Sequence, residues 1–506
     1  MLSKVYTGVM NGIEGYSVGV ETDISSGLPG MNVVGLASTT VMESRQRIRS
    51  AIVNSGYEYP RRKITVNLTP ADLRKNGSGL DLPIAVGVLA SSLYIDARNL
   101  DRYGIVGELS LDGKVKGISG ILPLLAGFKD KGIETAVIPY DNYEEAKLIE
   151  GIKLYPVKSL VDCADAINSR REGDMADGLT SVSNYDYGID YGDIHGQEHA
   201  KRAICIAVTG RHGMLMVGPP GCGKTMLARR IPTIMPKMNK DEILETAIIY
   251  SAAGEETRRG RRLGERPFRS PHSTISKAGL VGGGMYPVPG EISLAHNGVL
   301  FLDEVCEFHR DNLDSLRTPV EDGRIVHFRS GAPYVFPCNF LMVMASNPCP
   351  CGYSGDPVKL CKCSQAQRDK YRRRLSGPMI DRIDIRINME RVEYEELATT
   401  GGDSTVNSSV MRSDIEKGLA FAKDMGRNKP NGDLSDSEVR LYCRLGPEEE
   451  MLMGKAYSEL GLSPRSYNKV LKVARTIADI DQMEKIKVNH LAEALSYRML
   501  SDINEG

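Results

Sequence analysis

Tryptophan is absent from this chain of 506 residues, and phenylalanine occurs only 8 times. Nor is there a clear aromatic-hydrophobic motif of the kind that grips an extended polypeptide. Tyr286, beside a run of glycines, is the exception that keeps that role open. An excess of either charge is also missing. The formal net charge is −1, so the chain as a whole is no sponge for nucleic acid, and any such contact has to come from local clusters. No apolar run is long enough to cross a membrane. Neither a signal peptide nor a lipidation motif is recognisable, so the chain is expected in the cytoplasm, with no membrane partner and with its cysteines reduced. With 41% apolar residues it can bury roughly two or three cores.

What is present, above all, is a glycine-rich loop. Gly218-Pro219-Pro220-Gly221-Cys222-Gly223-Lys224-Thr225 fits G-x-x-x-x-G-K-[ST]. The apolar stretch Gly213–Val217 before it reads as a strand, and Met226–Ile231 after it as the start of a helix. In such a loop the glycines let backbone N–H groups curl around a polyphosphate. Lys224 would reach the β- and γ-phosphates, and Thr225 would hold Mg²⁺. The bland alternative is a chance glycine-rich turn.

Two further stations follow. Gly298–Leu302 is a short apolar run of the kind buried in a parallel sheet, and it exits into Asp303-Glu304. Asp303 would sit by Mg²⁺, and Glu304 could act as general base toward water. Alternatively, the two acids simply end a strand at the surface. Phe340–Ser346 is a third apolar run and ends in Asn347, whose amide could bond both a γ-phosphate and the attacking water. Alone, Asn347 would read as a turn residue.

Cys349-Pro350-Cys351 and Cys361-Lys362-Cys363 are separated by nine residues. Four thiolates in so short a loop suit tetrahedral Zn²⁺, with plain reduced cysteines or redox chemistry as the alternatives. Local cation clusters are Arg258, Arg259, Arg261, Arg262, Arg266 and Arg269, and then Arg368, Lys370, Arg372, Arg373 and Arg374. Each taken singly reads equally as solvated surface. Arg324–Arg329 and Tyr334–Phe336 read as two strands about a glycine turn.

The three stations in this order resemble the AAA+ ATPases. Arg269–His272, Gly282–Gly284, Pro289–Gly298 and Leu375–Asp384 are similar to the magnesium-chelatase-related branch. Taken end to end, the chain resembles the ComM/YifB-type Mg-chelatase-like bacterial ATPases. The resemblance implies a ring-shaped, hexameric, ATP-dependent motor with Mg²⁺, and a DNA helicase promoting branch migration as incoming single-stranded DNA recombines in natural transformation. It makes Arg382 the arginine finger that reaches a neighbouring subunit, with Arg317 as second candidate, and Arg465 the sensor arginine of the lid. An ion pair of Arg382 with Asp381 or Asp384 is the plain reading, as is a capping-region role for Arg465. The resemblance also places the Arg324–Phe336 hairpin and the Gly282–Gly284 insert in the ring pore, where Arg329, Gly283 and Gly284 would grip single-stranded DNA. The other readings are a motor for porphyrin metallation and a remodeller of a protein client.

The expected organisation is a multidomain α/β chain. Residues 1–168 form an α+β domain, 169–193 a linker, 194–398 the ATPase core with a parallel sheet, 399–413 a second linker, and 414–506 a helical lid. Val488, Leu491, Ala492, Leu495 and Met499 mark one apolar face in the lid. In the first domain, Lys75–Gly79 and Gly107–Val115 look like the proteolytic domain of Lon proteases. The positions of that family's Ser–Lys dyad are Gly79 and Leu122 here, and Ser78 is one residue off. The domain is therefore expected to have no peptidase chemistry, and to organise the ring or contact DNA.

Overall fold

The computed structural model describes residues 2–36, 38–71, 73, 75, 77–171, 173–178, 187–255, 263–329, 332–392 and 406–498. The N-terminal part is built on a long antiparallel hairpin, β1 (Leu2–Asn11) and β2 (Glu14–Ser25). The sheet continues with β3 (Gly30–Val34), β4 (Lys63–Thr69) and β5 (Tyr103–Ile105). A short hairpin, β6 (Glu108–Leu109) with β7 (Val115–Lys116), stands apart from it. With β8 (Thr135–Pro139), β9 (Lys153–Val157) and β10 (Asp174–Met175), the eight-stranded order is β10-β9-β8-β5-β1-β2-β4-β3. The helices Thr39–Asn54, Asp81–Ser91 and Ile121–Asp130 pack on it, giving the mixed α+β layer expected from the alternating apolar patterns.

The central sheet is parallel throughout. Its strands are β11 (Met214–Val217), β12 (Phe268–Arg269), β13 (Val299–Leu302), β16 (Leu341–Ser346) and β17 (Ile385–Asn388), in the order β12-β13-β16-β11-β17. Between β13 and β16 in sequence, β14 (Arg324–Arg329) and β15 (Ala332–Pro337) form a separate antiparallel ribbon. Its turn, Ser330-Gly331, lies outside the described residues. Strands β11, β13 and β16 are buried on both faces, so their sequences read as unbroken apolar runs rather than alternating ones. One face packs on the helices Glu198–Gly210 and Lys224–Ile234 and on the C-terminal helices. The other covers Leu280, Ile292, Leu313, Phe336 and Met379.

The C-terminal helices run Ser408–Asp424, Asp436–Tyr442, Pro447–Glu459, Pro464–Ile480 and Val488–Ser496. In the last of them the core-facing residues are Leu491, Ala494 and Leu495. Val488 and Ala492 are exposed, which corrects the expected face, and Met499 lies outside the described residues.

Described elements fall inside both expected linkers. Asn407 caps the helix Ser408–Asp424, accepting from the Val410 N–H at 2.9 Å, so helix occupies 408–413 of the expected linker 399–413. Asp190 and Tyr191, at the end of 169–193, belong to the core. The Tyr191 N–H donates to Ser408 Oγ at 2.9 Å, and the Ser408 N–H to Asp190 Oδ1 at 3.0 Å.

The N-terminal part docks on the central part through the helix Lys240–Ala253. Ala247 sits in the N-terminal core beside Leu122 and Leu125, and the Leu122 N–H donates to Ser251 Oγ. Within the N-terminal part, the seat of the helix Ile121–Asp130 on β2 depends on close backbone approach. A Cβ on Gly15 of β2 would lie 1.9 Å from the Pro123 carbonyl oxygen, and one on Gly127 would lie 2.3 Å from the Gly15 oxygen. Gly15→Ala should therefore push the helix Ile121–Asp130 off the sheet and destabilise the fold by about 1–3 kcal/mol. Denaturant unfolding measures it, and an unchanged midpoint would refute the close-approach argument.

Candidate functional site: a nucleotide-binding centre

The phosphate loop leaves the C-terminal end of β11 and enters the helix Lys224–Ile234, as the motif requires. Gly221 and Gly223 have φ of 82° and 95°, a region costly for residues with a Cβ. Gly218 has a different reason to be glycine: a Cβ there would lie 2.5 Å from the Met389 carbonyl oxygen. Cys222 is buried in the core beneath the loop, between Pro219-Pro220-Gly221 and the helix.

Lys224 is buried, and its ammonium donates to the carbonyls of Gly218 at 2.6 Å and Pro219 at 3.0 Å, and to Asn347 Oδ1 at 3.3 Å. The loop lysine and the strand-end amide thus meet in one place, 123 residues apart in sequence. Thr225 Oγ1 donates to Asp303 Oδ2 at 2.8 Å. A hydroxyl and a carboxylate are hard oxygen donors, and this pair fits Mg²⁺ rather than a softer metal. Glu304 follows at φ 48°, ψ 48°, where its own N–H donates to Asp303 Oδ1 at 3.0 Å. That left-handed turn is unusual for a residue with a side chain and marks the strand end as a position held for a purpose. Glu304 is exposed, so water reaches its carboxylate.

Arg382 and Arg465 stand elsewhere. Arg382 precedes β17, whose first residue pairs with the first residue of β11, so it lies at the end of the sheet opposite the phosphate loop. Its guanidinium bonds the Pro378 and Arg317 carbonyls and pairs with Glu321 at 3.1 Å. Burial, with Arg317 nearby, lowers its pKa. Arg465, at the start of the helix Pro464–Ile480, pairs with the same Glu321. The plain alternative, an ion pair with Asp381 or Asp384, is thus replaced by a pair with Glu321. Arg317 is engaged by Asp314 at 2.7 Å and Ser376 at 3.0 Å. Arg382 and Arg465 line one cavity of about 820 Å³, with Lys429, Lys469 and Lys472 adding cations to its wall.

Asp384 anchors that wall, a role the sequence did not signal. It pairs with Lys469 at 2.5 Å and with His212 Nδ1 at 3.1 Å. Burial alone would raise its pKa, but the Lys469 ammonium and His212 outweigh burial and hold the carboxyl below the usual range. A lone Asp between two arginine-bearing segments gives no local pattern from which such a link could be read.

The four cysteines converge. Their ligand atoms all lie within 4.8 Å of one another, and the closest Sγ–Sγ contacts are 3.4 and 3.6 Å. Tetrahedral Zn–S bonds of about 2.3 Å place sulfurs about 3.8 Å apart, so the cluster fits zinc. Backbone N–H donors from Tyr353 and Lys362 pull the Cys351 thiol down to about 6, which favours a thiolate ligand. The loop also leans on the nucleotide centre, since a Cβ on Gly352 would lie 2.7 Å from Pro220. The other six cysteines are free and buried.

Of the residues expected at a pore, Arg329 donates to the Gly284 carbonyl at 3.4 Å, and His327 Nε2 lies 3.1 Å from the Val281 carbonyl oxygen. The hairpin and the Gly282–Gly284 insert are therefore neighbours. Gly283, at φ 140°, is bridged to Val288 by a pair of 3.3 Å bonds that fold the insert back on itself. Of the first cation cluster, Arg258, Arg259, Arg261 and Arg262 lie outside the described residues. Arg266 and Arg269 are buried in ion pairs with Glu242 and Glu291, which removes them as surface contacts for DNA. In the second cluster Arg374 is paired with Glu307 at 2.7 Å. At the dyad positions of the N-terminal part, Gly79 has no side chain and Leu122 is fully buried. Among the described residues no helix is long and apolar enough to cross a membrane.

This is the nucleotide centre of a Mg-chelatase-like AAA+ protein. The profile described as "Magnesium chelatase, subunit ChlI" matches residues 190–397, "Subunit ChlI of Mg-chelatase" matches 20–142, and "Magnesium chelatase, subunit ChlI C-terminal" matches 405–498. The chain is 41% identical over 505 residues to competence protein ComM of Haemophilus influenzae, covering 99% of this chain and 98% of the relative. It is 42% identical over 511 residues to the uncharacterized protein YifB of Escherichia coli, covering 99% and 97%. Lon protease 2 of Bacillus subtilis matches 26% of this chain and 25% of its own length, at 31% identity over 139 residues. The chain belongs to the ComM/YifB-type Mg-chelatase-like AAA+ family, and membership implies ATP and Mg²⁺ as its cofactors.

The geometry separates binding from turnover. Lys224→Ala should abolish measurable nucleotide binding in a fluorescent-ATP titration. Glu304→Gln should keep that binding and lower ATP turnover about 10²–10⁴-fold. Near-normal turnover in Glu304→Gln would remove Glu304 as the base.

Proposed function

We propose that the chain is a cytoplasmic ATPase and DNA helicase that works as a ring rather than as a lone subunit, a reading drawn from the placement of its arginines. The observation that carries the reading is the division of charge across the sheet. Lys224, Thr225, Asp303, Glu304 and Asn347 gather at the strand ends, whereas Arg382 and Arg465 gather at the strand starts. Phosphoryl transfer needs a cation on the γ-phosphate beyond the loop lysine, and a trans-acting arginine is worth about 10³–10⁵ in rate. A second copy supplies it if its arginine face meets this chain's phosphate loop. Repeated head to tail, that contact closes a ring, and six subunits is the size the family resemblance implies.

Within one site the steps follow from the residues. The loop N–H groups and Lys224 hold the β- and γ-phosphates. Thr225 and Asp303 would hold Mg²⁺, which neutralises developing charge on the phosphates. Asn347 orients the attacking water, Glu304 takes its proton, and the neighbour's Arg382 offsets the charge on the transferred group. Arg465, beside Arg382, senses the same nucleotide from the lid.

The substrate we propose is single-stranded or branched DNA, moved through the ring during branch migration in recombination of incoming DNA. The competence name of the Haemophilus influenzae relative supports this, as does the meeting of Arg329 with Gly284. The N-terminal domain acts without peptidase chemistry, as a structural part of the ring. In the four-cysteine loop, structural zinc would keep the excursion after Asn347 ordered against Pro220.

Steady-state ATP turnover, alone and with single-stranded or forked DNA, tests the reading, with Glu304→Gln as the contamination control. DNA should stimulate turnover, and binding should weaken with salt at about 0.7 log unit per contacted phosphate. Arg329→Ala should reduce that slope by about one contact. Robust turnover indifferent to DNA would turn the reading toward a protein client or a porphyrin-pathway motor. Separately, metal analysis of the purified chain should find close to one zinc per chain, lost in Cys361→Ser; a metal-free, equally stable native protein would reject the zinc assignment.

A further inference from the structure

The ribbon of β14 and β15 has two unlike faces. Cross-strand partners share a face, so Ile325 with Phe336, His327 with Tyr334 and Arg329 with Ala332 form one of them. That face is turned inward: Phe336 is fully buried, Ile325 is buried, and His327 and Arg329 reach the glycine insert. The opposite face consists of Arg324 with Pro337, Val326 with Val335, and Phe328 with Pro333. It is apolar except for Arg324, and it is open to solvent. Phe328 is 70% exposed, Val326 41% and Val335 36%. Next to the ribbon tip the insert exposes Met285, also 70%.

In a chain with only 8 phenylalanines, one left at 70% exposure on a two-stranded ribbon is a costly placement unless something covers it. The cations beside it indicate the occupant. Arg324 and Arg329 are both exposed, and the bonds of the Arg329 guanidinium go to the carbonyls of Gly284 and Phe328 rather than to a carboxylate. An aromatic and aliphatic face carrying Arg324, with the exposed Arg329 next to Phe328 in β14 and neither arginine paired with a carboxylate among the described residues, matches a nucleic-acid strand, which offers a π-face at every base and a negative charge at every phosphate. An extended polypeptide offers no regular negative charge to answer the two arginines.

We propose that this ribbon face, with Phe328 at its tip, is a stacking surface for the unpaired bases of single-stranded DNA, while Arg324 and Arg329 hold the adjoining phosphates. The inference rests on the DNA reading above and adds to it a base-contacting residue and a requirement for unpaired bases. Stacking on an aromatic side chain tolerates any base, so the surface favours single strands without reading sequence.

The test compares two probes of equal backbone charge, labelled oligothymidylate and an abasic oligomer of the same length, on the full chain and its variants. Phe328→Ala should weaken oligothymidylate binding about ten- to hundredfold and leave the abasic oligomer unchanged. Phe328→Tyr should restore the thymidylate affinity, and Arg329→Ala should weaken both probes. An unaltered melting temperature confirms that the ribbon variants fold. Phe328→Ala binding both probes like the parent overturns the proposal, as does an equal loss on both. If the parent chain binds neither probe, the DNA reading itself fails. If unfolded casein displaces oligothymidylate from the parent but not from Phe328→Ala, the face grips polypeptide and the proposal is overturned.

Discussion

The position of β16 between β11 and β13 is the constraint on which the nucleotide centre depends. In a parallel sheet every strand delivers its C-terminal residue to the same edge, and the strand order decides which of those residues are neighbours. Because β16 is central, Asn347 emerges between the phosphate loop and Asp303-Glu304. Its amide then reaches Lys224, and the helix after the loop brings Thr225 to Asp303. A neutral amide is suited to this place. A carboxylate there would compete with phosphate for Lys224 and repel the charge the site is built to hold.

The same parallel arrangement separates two kinds of charge. Strand ends collect Lys224, Thr225, Asp303, Glu304 and Asn347, and strand starts collect Arg382 and Arg465 with Glu321 between them. Glu321 pairs with both guanidinium groups and so holds them side by side on one cavity wall. The Asp384 pairs with Lys469 and His212 tie the segment carrying Arg382 to the helix that begins at Arg465. Buried pairs of this kind gain little net stability but are costly to break on one side only. Separating the C-terminal helices from the start of β17 would therefore break these pairs.

What could be read from the sequence was what is contiguous. The phosphate loop, Asp303-Glu304 and the four cysteines are local patterns, because each needs several special residues within one turn or one strand end. Asn347 was legible only through its order after the other two. Partnerships across long sequence distance were not legible. For Arg382, the plain alternative to a finger role was a pair with the acids beside it, but its partner is Glu321, some 60 residues upstream. Arg266 and Arg269 looked like solvated cations, yet Glu242 and Glu291 bury them. The Asp190–Ser408 bond, which joins the ends of the two expected linkers across more than 200 residues, was likewise not legible. Phe328 was passed over because its exposure follows from the register of β14 on β15, and a six-residue strand does not announce which of its faces will be covered.

That register is in turn held by the N-terminal part. A Cβ on Gly12, at the turn between β1 and β2, would lie 3.4 Å from Phe336 and 3.6 Å from Tyr334, so the turn rests in van der Waals contact with β15. Ile13 beside it packs into the core that contains Phe336, and also against Tyr250 and Leu294. A two-stranded ribbon is marginal by itself in water and needs packing on one face to hold its shape. Here the inward face is covered partly by a hairpin from another domain, and that same domain is seated on the helix Lys240–Ala253 through Leu122 and Ser251. Leu122 is fully buried and takes part in that packing. The seating of the N-terminal part and the support of the ribbon are thus parts of one arrangement: the same part that rests on the helix Lys240–Ala253 braces the ribbon with its leading hairpin.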